Sequence, residues 1–540
     1  MNPEKIPGFG DERGITDRSM WSPSDYFSED YGGAGVIEPN MRNFLVRVPN
    51  CNMEDGVFND TVWDNSEPRQ LSLGAINEPA LTGLFYSDPI RRLQAVEQLT
   101  LPPYYATVPG TGAFSRFEHL WGSVLFVEQL SRKHGISGRE KLILQLRTLV
   151  SDMAHTTGSH LGDWLFQGVG GKEDQHDLEL KQYLGATGVL DLLENNKIDP
   201  DEVIFPDKND WVEADQPDLC VDRVDYGLRE MNRWNAVVSM QAFRAEDFEI
   251  TPDNMLAMTE VNRARIFAEG FLLLSQENWS NPVHRAVLDL FMLRTKIFYA
   301  RGAAPDMWLF DHDQNKTRLI HLNEIHPRDL MYVTDPGQMQ AFARPDLAGH
   351  TIEALMTSIS RYNRQYVWPA KNERVMSYMQ QFTKEAFDGT SYIPFNDAMH
   401  GSYLDGYPPT LPSGFAILEG EVEPDEQSIN LVQKPFKLRQ IDPLVKNGDA
   451  YSRLSELQPS YAERLAEHAL AQSKTYTARI SIPDPRTRSM LKETIESVDE
   501  FWDQRLQSGK RLTPVQLREL VRASARDIHG AYPFMSFLSY

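Results

Sequence analysis

Apolar residues recur at helical spacing along the middle of the chain. Between Lys141 and Ala154, residues Leu142, Ile143, Leu146, Leu149, Val150 and Met153 fall at intervals of three and four, a stripe that predicts an amphipathic helix with one buried face. Phe117–Leu130, Gln182–Leu193, Val221–Trp234, Val261–Leu274 and Val287–Tyr299 carry the same period. Strand-like alternation is scarce here, so the pattern predicts a helical core over residues 81–330.

The flanks differ. Residues 1–80 are rich in Gly, Pro, Asn and Asp (Gly8-Phe9-Gly10, Gly32-Gly33-Ala34-Gly35) and read as an irregular arm with scattered anchors such as Trp21 and Phe44. Residues 331–540 read as a mixed helical and strand region, packed on the core and involved in assembly. Within it Pro336–Ala343, with Asp335 as N-cap, Ile352–Tyr362, Val375–Phe387, Ser497–Leu506 and Pro514–Ile528 suggest helices. Gln433–Ile441 and Thr475–Ile482 alternate like strands, and 388–427 is loop-rich. Pro483-Asp484-Pro485 marks Arg486-Thr487-Arg488 as part of a turn. The expected class is mainly α with an α+β C-terminal region.

Composition narrows the chemistry. The 540 residues hold 54 Lys+Arg against 77 Asp+Glu, a net charge of −23, which disfavours a general binder of nucleic-acid backbones. The two cysteines, Cys51 and Cys220, exclude a disulfide framework and a four-cysteine zinc site and suit a reducing, cytoplasmic setting. Met1–Arg13 has no apolar stretch of signal-peptide type, and no apolar run reaches the ~18 residues that suggest a membrane span.

The chemistry-bearing residues cluster. His119 ends Ser115-Arg116-Phe117-Glu118-His119, and Ser151-Asp152-Met153-Ala154-His155-Thr156-Thr157-Gly158-Ser159-His160-Leu161-Gly162-Asp163 packs two His and two Asp into one short stretch. His176 follows, and Asp222 opens a further helix. His134 reads as an isolated loop residue. Asp152 ends an apolar helix beside its buried face, where a carboxylate needs a partner; a cation held by imidazole and carboxylate is a sufficient one. His160 and Asp163 are spaced to share a helix face that starts near Gly158-Ser159. On residue types alone, a hydrogen-bonded structural role and a metal or acid–base site both remain open.

Other motifs are weaker. Gly168-Val169-Gly170-Gly171-Lys172-Glu173 lacks the first Gly and the final Ser/Thr of a phosphate-binding loop and reads as a flexible connection. His312, His321 and His326 read as surface or structural residues, and the acidic run at 419–426 as a solvated loop.

Asp88-Pro89-Ile90-Arg91-Arg92-Leu93-Gln94-Ala95-Val96-Glu97-Gln98-Leu99, followed by Pro109-Gly110-Thr111-Gly112-Ala113-Phe114-Ser115-Arg116-Phe117-Glu118-His119, resembles the opening of the HD-domain deoxynucleoside triphosphate (dNTP) triphosphohydrolases. The resemblance covers about residues 85–235 and implies an HD-type helical catalytic core. It implies His119, Asp152 and Asp222 as metal ligands, and His155, His160, Asp163 and His176 around the scissile phosphate, with His160 as general acid. It further implies phosphate contacts from Arg116 and Arg223, a sugar site at Gln98, Leu99 and Tyr226, and Glu230 lining the same groove. The implied reaction is hydrolysis of dNTPs to deoxynucleoside and triphosphate by a homo-oligomer, with nucleotide effectors and a role in nucleotide pools or antiviral defence.

One position departs from the family pattern. Ser151 stands where the His of the family's His-Asp dyad would be, and a hydroxyl is a poor ligand for iron or zinc. The remaining donors suit a water-keeping ion, Mg²⁺ or Mn²⁺. Two alternatives accompany this reading: an HD phosphohydrolase acting on another nucleotide phosphoester, and a catalytically silent nucleotide sensor or scaffold.

Overall fold

In a computed structural model the protein is described at residues 51–52, 57–59, 62, 70–101, 105–108, 114–167, 175–204, 210–233, 243–300, 307–311, 316–320, 326–330, 347–363, 414–433, 438–509, 511–522 and 525. It is mainly helical, with small sheets. Strands β1 (Cys51–Asn52), β2 (Val57–Asn59) and β3 (Gln70–Ser72) form an antiparallel sheet before helices α1 (Pro79–Phe85) and α2 (Asp88–Arg92). The end of the expected irregular arm thus carries short strands; Trp21 and Phe44 lie outside the described residues.

The core is organised around α3 (Arg116–His134), almost wholly buried. Ser115 and Glu118 form a reciprocal capping box at its start, the Ser115 hydroxyl accepting from the Glu118 N–H at 3.2 Å. Gly135, at φ 71°, closes its end in the left-handed conformation that glycine adopts without a steric cost. His134 is the last residue of this helix rather than a loop residue, and its Nε2 accepts from the Ile250 N–H at 3.2 Å. Helices α4 (Gly138–Ser151) and α9 (Val221–Arg233) pack against α3. Between them come α5 (Leu161–Gln167), α6 (Gln175–Thr187), α7 (Val189–Asn195) and α8 (Pro200–Ile204). Trp121 meets Phe85 edge-on at 4.8 Å in this core. Each such fully buried large apolar side chain contributes about 1.5–3 kcal/mol.

The single helix expected over Gln182–Leu193 is two, α6 and α7. Gly188 at φ 82° breaks the backbone between them while the apolar period continues across the break.

After β4 (Phe248–Ile250) and β5 (Leu256–Met258), helices α10 (Val261–Leu274) and α11 (Pro282–Ala300) complete the central layer. A hairpin, β6 (Met307–Asp311) with β7 (Lys316–Ile320), precedes α12 (Leu347–Tyr362), which packs on α11. The C-terminal half adds β8 (Phe415–Glu419), β9 (Ser428–Gln433), β10 (Leu444–Asn447), β11 (Ala450–Arg453), α13 (Pro459–Gln472), β12 (Tyr476–Ser481), α14 (Pro485–Ser508) and a helix over 514–522. Strand β12 lies between β8 and β9, antiparallel to both, with Ala478 opposite Ile417 and Leu431. Strand β10 pairs parallel to β5, which ties this half to the core.

Several boundaries differ from the sequence reading. The loop-rich stretch 388–427 contains β8. The strand expected over Gln433–Ile441 lies earlier, because β9 ends at Gln433 and residues 438–443 are irregular. Arg486–Arg488 form the first turn of α14 rather than a turn: Asp484 caps it by accepting from the Thr487 N–H at 2.8 Å, and Pro485 fills the first helical position. Pro336–Ala343, Val375–Phe387, Gly168–Glu173, His312 and His321 lie outside the described residues. Among the described residues no helix is long and apolar enough to cross a membrane.

Candidate functional site

Three helices deliver His119, Asp152 and Asp222 to one point. His119 lies in the first turn of α3, Asp152 caps the C-terminus of α4, and Asp222 lies in the first turn of α9. His119 Nε2 is 2.9 Å from Asp222 Oδ1 and 3.6 Å from Asp152 Oδ2, and one donor atom from each residue lies within 4.8 Å of the others. On the opposite ring edge, His119 Nδ1 is 2.8 Å from Asp225 Oδ2. Burial alone would lower the imidazole pKa, but hydrogen bonds and charge from Asp222 and Asp225 raise it to about 9. One imidazole and two carboxylates fit a hard divalent cation.

Ser151 does not join this set. Its hydroxyl donates to the Thr148 carbonyl at 3.1 Å, closing the last turn of α4.

The second group grows from the tight segment between α4 and α5. Gly158 and Ser159 both adopt left-handed backbone, at φ 63° and 54°, and Thr156 and Ser159 form an isolated bridge. A Cβ on Gly162 would lie 2.5 Å from Thr156 Oγ1, so only glycine lets this segment fold against α5. The result gathers His155, His160 and His176, with one ring nitrogen of each within 4.8 Å of the others. The Asp163 carboxylate reaches His160 Nδ1 at 2.7 Å and lies 3.6 Å from His176 Nδ1, while accepting from the Gln175 N–H at 2.9 Å. Though burial opposes it, hydrogen bonding to the two histidines holds Asp163 well below the usual carboxylate range. Burial would also lower His176, but Asp163 raises it to about 9.

Arg116 joins the two groups. It donates to Asp152 and to the Ser159 hydroxyl, and its Nη2 lies 3.3 Å from both His160 Nε2 and the Gln98 carbonyl. Gln98 enters through its backbone, and its side-chain Oε1 is buried without a hydrogen-bond partner among the described residues. Leu99 packs half-buried against the core. The Tyr226 ring lies 6.2 Å from His119 and meets Phe271 and Trp279 at 5.9 and 5.7 Å. Burial pushes its phenol up to about 12. Glu230 follows one turn later, fully buried.

Arg223 is engaged elsewhere: it donates to the Asp218 carbonyl and, at 2.8 Å, to that of Ala214, bracing the loop that enters α9. His326 also lies apart, its Nε2 3.1 Å from the Leu506 carbonyl.

Arg92 and Asp225 join the site from outside the expected set. Fully buried Arg92 donates to the His155 carbonyl at 2.5 Å and to that of Met153 at 3.3 Å, clamping the segment that carries Asp152 and His155. No periodicity or spacing marks an arginine whose partners are carbonyls some sixty positions away.

No family model matches the chain. It is 27% identical over 218 residues to the metal-dependent phosphohydrolase cns2 of Cordyceps militaris, covering 39% of this chain and 59% of that protein. It is 26% identical over 214 residues to the uncharacterized protein YdhJ of Bacillus subtilis, covering 38% of this chain and 59% of that protein. The chain therefore spans less than two thirds of the length of these curated relatives. A phosphohydrolase structure from Bacteroides thetaiotaomicron aligns with 79% of this chain and 99% of that one at 14% identity and a TM-score of 0.44. Metal-dependent phosphohydrolases are thus among its relatives, at low identity.

Proposed function

We propose that this protein is a metal-dependent HD-type phosphohydrolase that hydrolyses deoxynucleoside triphosphates to deoxynucleoside and inorganic triphosphate. The observation that carries this reading is the bridge made by Arg116 between a carboxylate–imidazole set and a histidine group organised by Asp163. The relationship to a metal-dependent phosphohydrolase supports the reaction class. The dNTP substrate rests on the resemblance of Gln98, Leu99 and Tyr226 to a sugar site.

His119, Asp152 and Asp222 would hold the cation, Mg²⁺ or Mn²⁺, which when bound draws electron density from the phosphoryl group and lowers the pKa of water. Arg116 offers a second positive charge to the phosphate. His160 presents its Nδ1–H to Asp163 and its Nε2 towards Arg116. With Arg116 drawn to the phosphate and Nε2 protonated, Asp163 stabilising the imidazolium, His160 would donate that proton to the leaving 5′-oxygen as water adds to phosphorus and the P–O5′ bond breaks. His176, raised by Asp163, would add positive charge beside it. Arg223, bound to loop carbonyls, has a supporting role.

Incubating the purified protein with each dNTP and Mg²⁺ or Mn²⁺, then separating the products, tests the proposal. Free deoxynucleoside with triphosphate is expected; release of monophosphate would point instead to another phosphoester chemistry. A second reading, a silent nucleotide sensor, draws on the Ser151 hydroxyl being committed to Thr148. Nucleotide binding without turnover would support it.

A further inference from the structure

We infer that Asp225 is the positioning residue of the metal-binding imidazole, and that Arg229 and the bare Cα of Gly122 hold it in place. The inference rests on the proposed reading of His119 as a ligand and adds an outer layer to that site.

A histidine that ligates through Nε2 must carry its proton on Nδ1, with the ring turned to aim its lone pair at the ion. Asp225 supplies both conditions. Its Oδ2 lies 2.8 Å from His119 Nδ1, on the ring edge opposite Asp152 and Asp222. Asp222 and Asp225 are three residues apart on α9, so a single helix face presents one carboxylate to the ion and one to the far side of its imidazole ligand. Asp225 is 0% exposed, where a lone carboxylate would be costly. Arg229, one turn further on, compensates it with a two-point fork, Nε to Oδ2 at 2.7 Å and Nη2 to Oδ1 at 3.0 Å.

That fork has room because of Gly122, three residues after His119 on α3. A Cβ there would lie 1.6 Å from Arg229 Nη2 and 2.7 Å from Asp225 Oδ1, so any other residue would expel the guanidinium. Glycine inside a helix costs about 1 kcal/mol relative to alanine. At this position it admits the Arg229–Asp225 pair beneath the site. An ion pair that served packing alone would complete its own bonding; here Oδ2, which takes the Arg229 Nε–H, is also the atom that receives His119.

The test is Mn²⁺ affinity, read from free Mn²⁺ by electron paramagnetic resonance, in the full chain and in variants that keep His119, Asp152 and Asp222. Asp225→Asn removes the charge and retains the shape. The double variant Asp225→Asn/Arg229→Gln leaves no unpaired buried charge and protects the experiment against simple misfolding; circular dichroism and thermal melting check the fold. Both are expected to bind Mn²⁺ about 10–100-fold more weakly than the parent. A folded double variant with parental Mn²⁺ affinity would overturn the inference. A parent that binds no Mn²⁺, or binds it equally well after His119→Ala, would overturn the metal-site reading itself and the inference with it.

Discussion

The imidazoles of His155 and His176 stack with centroids 3.8 Å apart and 22° between their planes, yet their pKa values are driven in opposite directions. Burial, and the positive charges of Arg116 and His176, press His155 far below its ordinary pKa, whereas His176 is raised to about 9 by Asp163. The stack thus sets a ring biased by burial and Arg116 towards its neutral form against one biased by Asp163 towards its charged form. Asp163→Asn is expected to lower kcat for dNTP hydrolysis by about 10²–10⁴-fold, because it also strips His160 of its imidazolium-stabilising partner. Steady-state kinetics with retained Mn²⁺ binding would check this. An Asn variant with parental kcat would remove Asp163 from the mechanism.

His160→Ala is expected to reduce the same rate by a similar ~10²–10⁴-fold while leaving the fold and the His119–Asp152–Asp222 set intact. A phosphate ester with a good leaving group, such as a nitrophenyl ester, needs little protonation and should be less affected. Equal losses on both substrates would argue that His160 positions the phosphate rather than donating a proton.

Much of the helical scaffold can be read from the chain, because it rests on short-range spacing, whereas the grouping of His119, Asp152 and Asp222 comes from the family resemblance and depends on three helices meeting at one point. Val261–Leu274 matches its observed bounds, and Asp152 lies at the end of the apolar stripe that predicts α4. What escapes the reading depends on backbone geometry or distant partners. Gly188 splits an apolar run that looks continuous, and Pro483-Asp484-Pro485, whose composition reads as a turn, starts a helix instead. Arg223 sits beside Asp222 in sequence but turns to carbonyls of the preceding loop, a choice that spacing does not reveal. Asp225 carried a legible signal, a carboxylate four residues before an arginine, yet only the fold brings His119 against it.

Trp502 on α14 donates from Nε1 to the Leu165 carbonyl at 3.0 Å and stacks on Phe166, with 6° between the rings. It thus anchors α5, the helix that carries Asp163. Trp502→Ala is expected to cost about 3–5 kcal/mol in a denaturant titration. Trp502→Phe keeps the stacking and leaves one buried carbonyl unsatisfied, at about 1–3 kcal/mol. Equal losses for the two variants would deny the ring contact its share.

Acid sensitivity has a traceable source in His468, which burial lowers to about 4. Its Nε2 lies 3.1 Å from the Ser275 hydroxyl and 3.2 Å from the Arg439 carbonyl. Unfolded, the same side chain titrates near 6.5. Between about 4 and 6.5 the unfolded chain binds a proton that the folded chain refuses, so this contribution is complete above 6.5 and is lost as pH falls through the window. His284, lowered to about 3 by burial, acts in the same direction. His468→Gln should therefore reduce the slope of stability against pH by about one proton, or ~1.4 kcal/mol per pH unit, without abolishing it. Denaturant titrations at pH 5 and pH 7 would show this, and an unchanged difference between them would refute it.

Restoring an imidazole at position 151 tests the metal site from the other side. The Ser151 side chain is half-buried, directly precedes Asp152, and spends its hydroxyl on a carbonyl of its own helix, a bond of small net worth. A histidine here would add a nitrogen donor beside the one imidazole and two carboxylates already gathered. Ser151→His is expected to tighten binding of Mn²⁺ by a factor of about ten, roughly 1.4 kcal/mol. It should favour Zn²⁺ and Fe²⁺ still more, because imidazole suits these ions better than Mg²⁺. Calorimetric titration of parent and variant with each ion measures both effects. A variant whose affinities and ion preference match the parent would mean that position 151 does not face the cation, and that the site was built for three protein ligands from the start.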